Sequence, residues 1–291
     1  MPSLRDIRRR IRSVRNTAQI TKAMELVAAS RMRRAQQRVV ASRPYAGAIR
    51  TMMAQLAAAR REGEVLHPLL QQRPVRRVGL VLVTTDRGLC GPLNANIIRR
   101  AGEFLLRAEQ PVELVTVGRK GQDFMARRGY ALRATFTQLG DRPEYMAIVP
   151  IARVIIDDYE RGTIDAAYIL YPRFVSTLVQ RPQLDPLLPI TPPAAEERDG
   201  RRAAEYIYEP DPATILGALL PRYVEVQIYQ AVLETIASEH SARMIAMRNA
   251  TDNAKELIQT LTLTYNKARQ AAITREVTEI ASAAEALAQR E

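Results

Sequence analysis

The 291-residue chain has little of what many catalytic and metal sites use: one cysteine, two histidines and no tryptophan. A single thiol, Cys90, excludes an internal disulfide framework and fits a reducing compartment. With two histidines and one cysteine, a structural zinc site is not expected. The apolar runs also stay far short of the roughly 18 residues that a membrane-spanning helix needs.

Glycine and proline are missing from both ends of the chain. Residues 3–43 and 222–291 contain neither, although the whole sequence has 13 glycines and 17 prolines. At ~1.5 Å per residue, these arms predict helices of roughly 60 and 105 Å. Helices of this length that are too polar to span a membrane indicate a coiled coil. We predict an antiparallel pair in which part of the longer C-terminal arm projects beyond its partner.

The contact seam of this pair is predicted from apolar residues spaced three and four apart. In the N-terminal arm the seam begins at Leu4, Ile7, Ile11, Val14 and Ala18. It is then expected to shift to Ile20, Met24, Val27 and Met32. In the C-terminal arm the same spacing is found at Val226, Tyr229, Leu233 and Ile236, and again at Leu257, Leu261, Thr264, Ala268 and Ala271.

The middle of the chain has the pattern of a different fold. Strands are predicted at residues 76–85, 111–118, 131–138, 165–174 and 175–182, and helices at 91–108, 119–130 and 144–162. Strands that alternate with helices are typical of a doubly wound α/β domain. The predicted fold class is therefore α/β, with a long antiparallel coiled coil of the terminal helices (1–43 and 222–291) and a small α/β body (45–221). A proline-rich segment, 181–212, is predicted to be a mobile excursion.

The stretch "TTDRGLCGPLNANI" (84–97) is the candidate for a nucleotide-binding loop, because it follows a strand and precedes a helix. It lacks both the G-x-G-x-x-G pattern and the GK[ST] of a P-loop. A tight turn packed on a neighbouring element is favoured, with Asp86 as a turn cap or in an ion pair with Arg87. Cys90 is predicted to be a buried small hydrophobe, and His240 a solvated or helix-packing residue.

Positive charge is concentrated in the N-terminal arm. The chain carries a net charge of +12, and residues 1–43 hold twelve basic and two acidic side chains. A basic helix can bind nucleic acid or an acidic protein, or can simply present a solvated face. Residues 1–43 contain no aromatic side chain for base stacking. Charge alone leaves these alternatives open.

Three segments resemble the gamma subunit of F-type ATP synthases: "LRDIRRRIRSVRNTAQITKAMELVAASRMRRAQ" (4–36), the 84–97 stretch, and residues 238–280. They occur in the family's order and span the chain. One departure is Ala283–Ala284, where the family pattern usually has Gly-Ala. Alanine favours helix, so we expect no change in function.

The resemblance implies a non-catalytic rotor shaft, with no catalytic residue, cofactor or metal of its own. Its partners would be the alpha and beta subunits, which surround the shaft, the epsilon subunit and the membrane ring of c subunits. It would lie on the cytoplasmic face of a bacterial plasma membrane, touching the membrane only through the c ring and binding no nucleic acid. The residues implied to contact the alpha and beta subunits are Lys22, Met24, Arg243, Arg269, Gln270, Thr274 and Glu276.

Two other functions stay open from the residues alone. One is a basic helical nucleic-acid-binding protein with an α/β accessory domain. The other is a nucleotide-dependent transferase that uses the 84–97 loop, which would require ATP binding by the isolated chain.

Overall fold

The computed structural model describes residues 3–58, 67–191 and 211–288. Its elements in chain order are α1 (Leu4–Ala58), β1 (Val78–Val83), α2 (Leu93–Arg107), β2 (Val112–Val117), α3 (Arg119–Arg127), β3 (Leu132–Phe136), α4 (Val149–Glu160), β4 (Ala166–Phe174), β5 (Gln180–Leu188) and α5 (Pro212–Ala288). The chain divides into two compact units. We call residues 28–243 the α/β unit, and residues 3–27 with 244–288 the two-helix unit.

The sheet of the α/β unit has the strand order β3-β2-β1-β4-β5, in which β5 alone is antiparallel to its neighbour. Side chains of β1 alternate between two apolar layers, as the two-residue period of a strand requires. Leu80 and Leu82 pack against α2 and α3. Val81 and Val83 belong to the larger core, which α1, α4 and α5 complete. The predicted doubly wound α/β domain is confirmed.

Both long helices extend past a proline, so their predicted ends at residues 43 and 222 were wrong. Helix α1 continues beyond Pro44 to Ala58, and α5 begins at Pro212 and includes Pro221. Proline removes one backbone hydrogen bond, that of the carbonyl four residues earlier. For Pro44 this carbonyl belongs to Val40, which is exposed to water. Core residues on both sides of the prolines, such as Val39 and Ile49, favour continuing the helix.

The predicted excursion at 181–212 begins too early in the chain to match the structure. Its first residues belong to β5, which pairs along its length with β4. The predicted strand 175–182 instead contains the turn before β5, where Val175 N donates to Val179 O at 3.2 Å. Pro182 and Pro186 are accepted because β5 is an edge strand, where one side of the backbone needs no partner. Residues 192–210 lie outside the described residues, so their mobility stays a prediction.

In the two-helix unit, the first part of the predicted seam is confirmed: Leu4, Ile7, Ile11, Val14 and Ala18 are buried or half-buried. The predicted shift was wrong for Ile20 and Val27, which are 61% and 52% exposed, whereas Met24 and Met32 are half-buried. The seam continues instead through polar residues, Thr21 and Glu25. An apolar pattern could not show this register.

On α5 the buried face of the two-helix unit also differs from the predicted one. Buried or half-buried residues recur every three or four positions, at Met244, Met247, Thr251, Ala254, Ile258, Leu261, Tyr265 and Ala268. Leu257, Thr264 and Ala271 are exposed. Val226, Leu233 and Ile236 are buried as predicted, but in the core of the α/β unit.

The last part of α5 is uncovered within this chain. Every side chain from residue 269 to residue 282 is exposed. This is the behaviour expected of an arm that extends beyond its partner helix. None of the described helices is both long enough and apolar enough to cross a membrane.

Candidate interaction surface

The sheet edge where α/β proteins usually bind ligands is filled by α5. β2 lies on one side of β1 in the sheet, and β4 lies on the other side. This reversal of the strand order creates a crevice at the carboxyl end of β1. Val232, Thr235, Ile236 and Glu239 of α5 line this crevice and leave a cavity of about 40 Å³. Ligand clefts are commonly about 300–1,000 Å³. The 84–97 segment is therefore a turn packed on a neighbouring element, as favoured from the sequence.

Asp86 caps the turns around this edge. Its Oδ1 accepts from the backbone N–H of Arg119 at 3.0 Å, and its Oδ2 accepts from the N–H of Gln138 at 3.0 Å. The predicted role as a cap is confirmed. The carboxylate joins the start of α3 to the loop after β3.

Cys90 is buried against Leu93 and Ala242. Burial raises the pKa of the Cys90 thiol, which therefore stays protonated near neutral pH. Its role as a small buried hydrophobe is confirmed. Within the described ranges, no three His, Cys, Asp or Glu side chains are grouped as a bound metal ion would need.

Arg243 differs from the other six residues of the predicted contact set, because it points into the α/β unit. Its Nη2 donates to Gly88 O at 2.9 Å and to Glu239 Oε1 at 2.6 Å, and its side chain is 11% exposed. Burial raises the pKa of Glu239, and Arg243 opposes that shift. This arrangement could not be found in the sequence, since Gly88 is 155 residues away.

Lys22 and Met24 lie in the two-helix unit, beside a buried carboxylate. Lys22 Nζ donates to Glu25 Oε2 at 3.0 Å, while Arg248 Nε donates to Glu25 Oε1 at 3.0 Å. The hydrogen bond from Lys22 lowers the pKa of Glu25 most, and the hydrogen bond from Arg248 lowers it further. Lys22 is exposed and Met24 half-buried, so both are accessible from outside the helix pair.

The remaining predicted contacts, Arg269, Gln270, Thr274 and Glu276, are all exposed on the uncovered part of α5. Three apolar residues that the set omitted, Ile273, Val277 and Ile280, lie among them and are 51–64% exposed. Their spacing of four and three places them on one face of the helix. We call these three residues the tip stripe.

A second exposed apolar group lies on α1. Ile20, Leu26 and Val27 are each more than half exposed, and we call them the α1 patch. The sequence predicted Ile20 and Val27 to lie in the coiled-coil seam. Grouped apolar residues left in water commonly mark contact with another chain.

Related proteins are similar in sequence to this chain over almost its whole length. A protein of Dehalococcoides mccartyi (strain CBDB1) named ATP synthase gamma chain is 55% identical over 288 residues, which cover 99% of this chain and 100% of the relative. The chain belongs to the ATP synthase gamma chain family. An ATP synthase gamma chain of Roseiflexus castenholzii is also 55% identical, over 293 residues covering 99% of this chain and all of the relative. The profile of the ATP synthase family matches residues 3–287. The resemblance drawn from the sequence is confirmed.

Solved structures agree with this gamma chain fold. A chain in the Euglena gracilis mitochondrial ATP synthase (OSCP/F1/c-ring, rotational state 3) matches with a TM-score of 0.68 and 22% identity, covering 98% of this chain and 94% of the other. A chain from the Tetrahymena thermophila mitochondrial ATP synthase central stalk and c-ring matches with a TM-score of 0.62 and 23% identity, over 79% of this chain and 99% of the other. At these identities the likeness establishes the fold alone.

Proposed function

We propose that this protein is the non-catalytic central rotor shaft of an F-type ATP synthase. In this role it transmits rotation of the c ring to the beta subunits, whose nucleotide sites it biases in turn. The observation that carries the proposal is the run from residue 269 to residue 282 at the end of α5, where every side chain is exposed among the described residues. A ligand surface that favours one conformation of each site in turn is sufficient for such coupling.

The two-helix unit supplies the surface that the other subunits would surround. It presents the α1 patch, the tip stripe and the predicted contacts Lys22, Met24, Arg269, Gln270, Thr274 and Glu276. Small, mixed polar and apolar side chains suit a surface that must turn without binding tightly at one angle. The exposed arginines of α1, including Arg9, Arg10 and Arg12, favour acidic segments of the surrounding subunits. Arg243 is removed from the contact set because its guanidinium is engaged inside the α/β unit.

The proposed partners are the alpha and beta subunits around the two-helix unit, and the epsilon subunit and c ring at the α/β unit. The proposed location is the cytoplasmic face of the bacterial plasma membrane, reached through the c ring. The filled crevice at the end of β1 supports a non-catalytic role, because α5 occupies the position where a nucleotide would bind.

The test is co-purification from native membranes through a tag on this chain, followed by identification of the bound proteins. We expect alpha, beta, epsilon and c subunits in one complex. Purification without them would contradict the proposal. Salt-sensitive binding of nucleic acid by the purified chain, in place of those subunits, would favour the alternative function.

Cross-linking tests the contact surface at single residues. Thr274→Cys and Gln270→Cys place a thiol on the uncovered part of α5, whereas Arg127→Cys places one on exposed α3 of the α/β unit and serves as the control. Natural Cys90 is buried and contributes little background. We expect the α5 thiols to cross-link to alpha or beta and the α3 thiol not to do so. Equal yields at α3 and α5 would remove these residues from the contact surface.

A further inference from the structure

Helix α5 carries a run of polar side chains at the end of the α/β unit. Five polar residues that are buried or nearly buried lie almost consecutively in α5: Ser238, Glu239, His240, Ser241 and Arg243. We call these five residues the polar collar. Buried polar groups require partners, and most partners of the collar belong to loops of the sheet, not to α5.

The hydroxyls of the collar bond the segment at the end of β4. Ser238 Oγ donates to the carbonyl of Pro172 at 2.9 Å, and Ser241 Oγ donates to that of Thr177 at 2.6 Å. Arg243 donates to Gly88 O, in the loop after β1, at 2.9 Å. Successive helix residues point about 100° apart. The collar therefore holds α5 from several directions.

Asp141 extends this arrangement to α1. Its Oδ1 lies 3.3 Å from Nε2 of His240, and its Oδ2 accepts from Arg31 at 2.6 Å. Its backbone carbonyl accepts from Arg38 at 2.7 Å. Arg31 and Arg38 are seven residues apart, or about two helical turns, and so share one face of α1. One residue thus contacts both long helices.

The loop that carries Asp141 is itself tied to the sheet. Gln138 N donates to Asp86 at 3.0 Å, at the carboxyl end of β1. Gln138 and Gly140 both have positive φ, 62° and 73°, which turn the loop back toward the helices. The contact between Asp141 and the helices is therefore also a contact between the helices and the sheet.

The kind of contact changes along α5. Between Leu216 and Ala237 the helix belongs to the apolar core, where packing is non-directional. From Ser238 to Arg243, where the α/β unit ends, its attachments are mainly hydrogen bonds to loops. Hydrogen bonds weaken steeply when donor and acceptor are misaligned. Rotation of α5 about its axis would therefore break the hydrogen bonds of the collar.

We infer that the polar collar fixes the rotational position of α5 against the sheet and passes torque between them, with Ser238, Ser241 and Asp141 as positioning residues. This inference rests on the proposed rotor function and identifies where the shaft is held. The sheet edge that binds ligands in other α/β proteins is here in contact with α5.

The test is a Ser238→Ala/Ser241→Ala double variant in the intact complex. ATP hydrolysis and ATP-driven proton uptake are measured in the same vesicles. Each lost hydrogen bond should raise the population of rotated positions of α5 by about fivefold. We expect the ratio of proton uptake to hydrolysis to fall by roughly twofold or more, with subunit composition unchanged. A ratio equal to that of the wild type would overturn the inference.

Two controls separate positioning from loss of stability. Thr235→Val removes a buried hydroxyl of α5 that donates only within its own helix, to Ala231 O at 2.7 Å. Ile169→Val removes one methyl group from the core of β4 and leaves the tested hydrogen bonds in place. Both should keep the wild-type ratio, even where thermal unfolding shows a loss of stability as large as that of the double variant. An equal fall in the ratio for Ile169→Val would reduce the collar to a stability effect and overturn the inference.

Hydrogen exchange of the purified full-length chain gives a readout that does not require the complex. The backbone amides of residues 86–91 and 173–179 should exchange faster in the double variant than in the wild type. The amides of β1, β2 and β3 should exchange at the wild-type rate. Unchanged exchange there would overturn the inference whatever the vesicles show. Wild-type vesicles that hydrolyse ATP without proton uptake would instead count against the proposed function, and exchange alone would then decide whether the collar holds α5.

Discussion

Thr21 of α1 and Thr251 of α5 share a hydrogen bond in the two-helix unit, with their Oγ1 atoms 2.7 Å apart. Both side chains are buried, and each hydroxyl is also close to a carbonyl of its own helix, Ala18 O at 3.1 Å and Met247 O at 2.8 Å. A buried polar pair in a helix seam specifies which residues of the two helices face each other. We expect this pair to set the register of α1 against α5.

Removing one member of this pair should cost more than removing both. Thr21→Val or Thr251→Val alone should lower the free energy of unfolding by about 1 kcal/mol, because the remaining buried hydroxyl loses one of its two hydrogen-bond partners. The double variant should recover most of that stability, since two methyl groups then pack together. Urea unfolding of the four proteins measures the coupling energy. Additive losses would mean that the hydroxyls act independently.

Gly118 is required for the turn between β2 and α3. Its φ is +93°, and a Cβ added there would lie 2.2 Å from the carbonyl oxygen of Thr84. Gly118→Ala should therefore lower the free energy of unfolding by roughly 3 kcal/mol or more, because backbone must move.

Gly129→Ala is the matched control for this substitution. Gly129 also has positive φ, +79°, but an added Cβ would meet no atom within 4 Å. It should cost only about 1–2 kcal/mol, the ordinary penalty of a left-handed backbone. Thermal unfolding of both variants checks the difference. Equal losses would show that the approach to Thr84 is not the cause.

His240 should make stability depend on pH. Burial lowers the pKa of His240 to about 4, against the influence of nearby Asp141 and with that of Arg243 and Arg31. An unfolded histidine has a pKa near 6.5, so between these values the unfolded chain binds the additional proton. The free energy of unfolding is therefore unaffected by His240 above about pH 6.5 and falls as the pH drops toward 4, because the unfolded chain takes up the proton first.

His240→Gln should remove that part of the pH dependence. The measurement is the free energy of unfolding in urea at several values between pH 4.5 and 7, compared with the wild type. The carboxylate of Asp141 stays in both proteins and serves as a common background. Parallel curves for the two proteins would contradict the assignment to His240.

Ala271→Pro tests whether the uncovered part of α5 must be straight. Proline should remove one backbone hydrogen bond and clash with the carbonyl of Lys267, at a local cost of about 3 kcal/mol or more. The spacing of residues in this arm predicts Ala271 in the paired part, but Ala271 is exposed. We therefore expect the α/β unit and the start of the helix pair to stay folded.

In the complex, Ala271→Pro should assemble and hydrolyse ATP while taking up fewer protons per ATP. Ala271→Ser, which keeps the backbone hydrogen bond, is the control. Both are measured in vesicles with subunit stoichiometry checked. An unchanged ratio in Ala271→Pro would show that this part of the helix need not be rigid.

The parts of the fold that the sequence predicted are those with a local signal. The absence of glycine and proline marked the long helices, and runs such as "VGLVLV" (78–83) marked the buried strands. The helix ends could not be predicted, because tertiary packing around Pro44 and Pro221 outweighs the local cost of a proline. The register of the helix pair was also hidden, since Thr21 and Glu25 occupy seam positions that an apolar pattern omits.

The candidate site was predicted in part. The exposed residues at the tip followed from the resemblance and the length of the arm. The position of Arg243 inside the α/β unit could not be predicted, because its partners are Glu239 and the loop after β1, and a helical pattern cannot show a contact with a distant loop. The tip stripe could have been found from the spacing of Ile273, Val277 and Ile280.

The two prolines of β5 determine where the sheet can grow. A proline in an edge strand has no N–H to offer on its open side, and β5 has two, Pro182 and Pro186, four residues apart. A further strand that paired with β5 would lack two of the backbone N–H donors that a regular edge strand supplies. Within the described sheet, the opposite edge, β3, carries no proline over Leu132–Phe136. A strand added to this sheet would therefore find a more complete row of N–H donors beside β3 than beside β5.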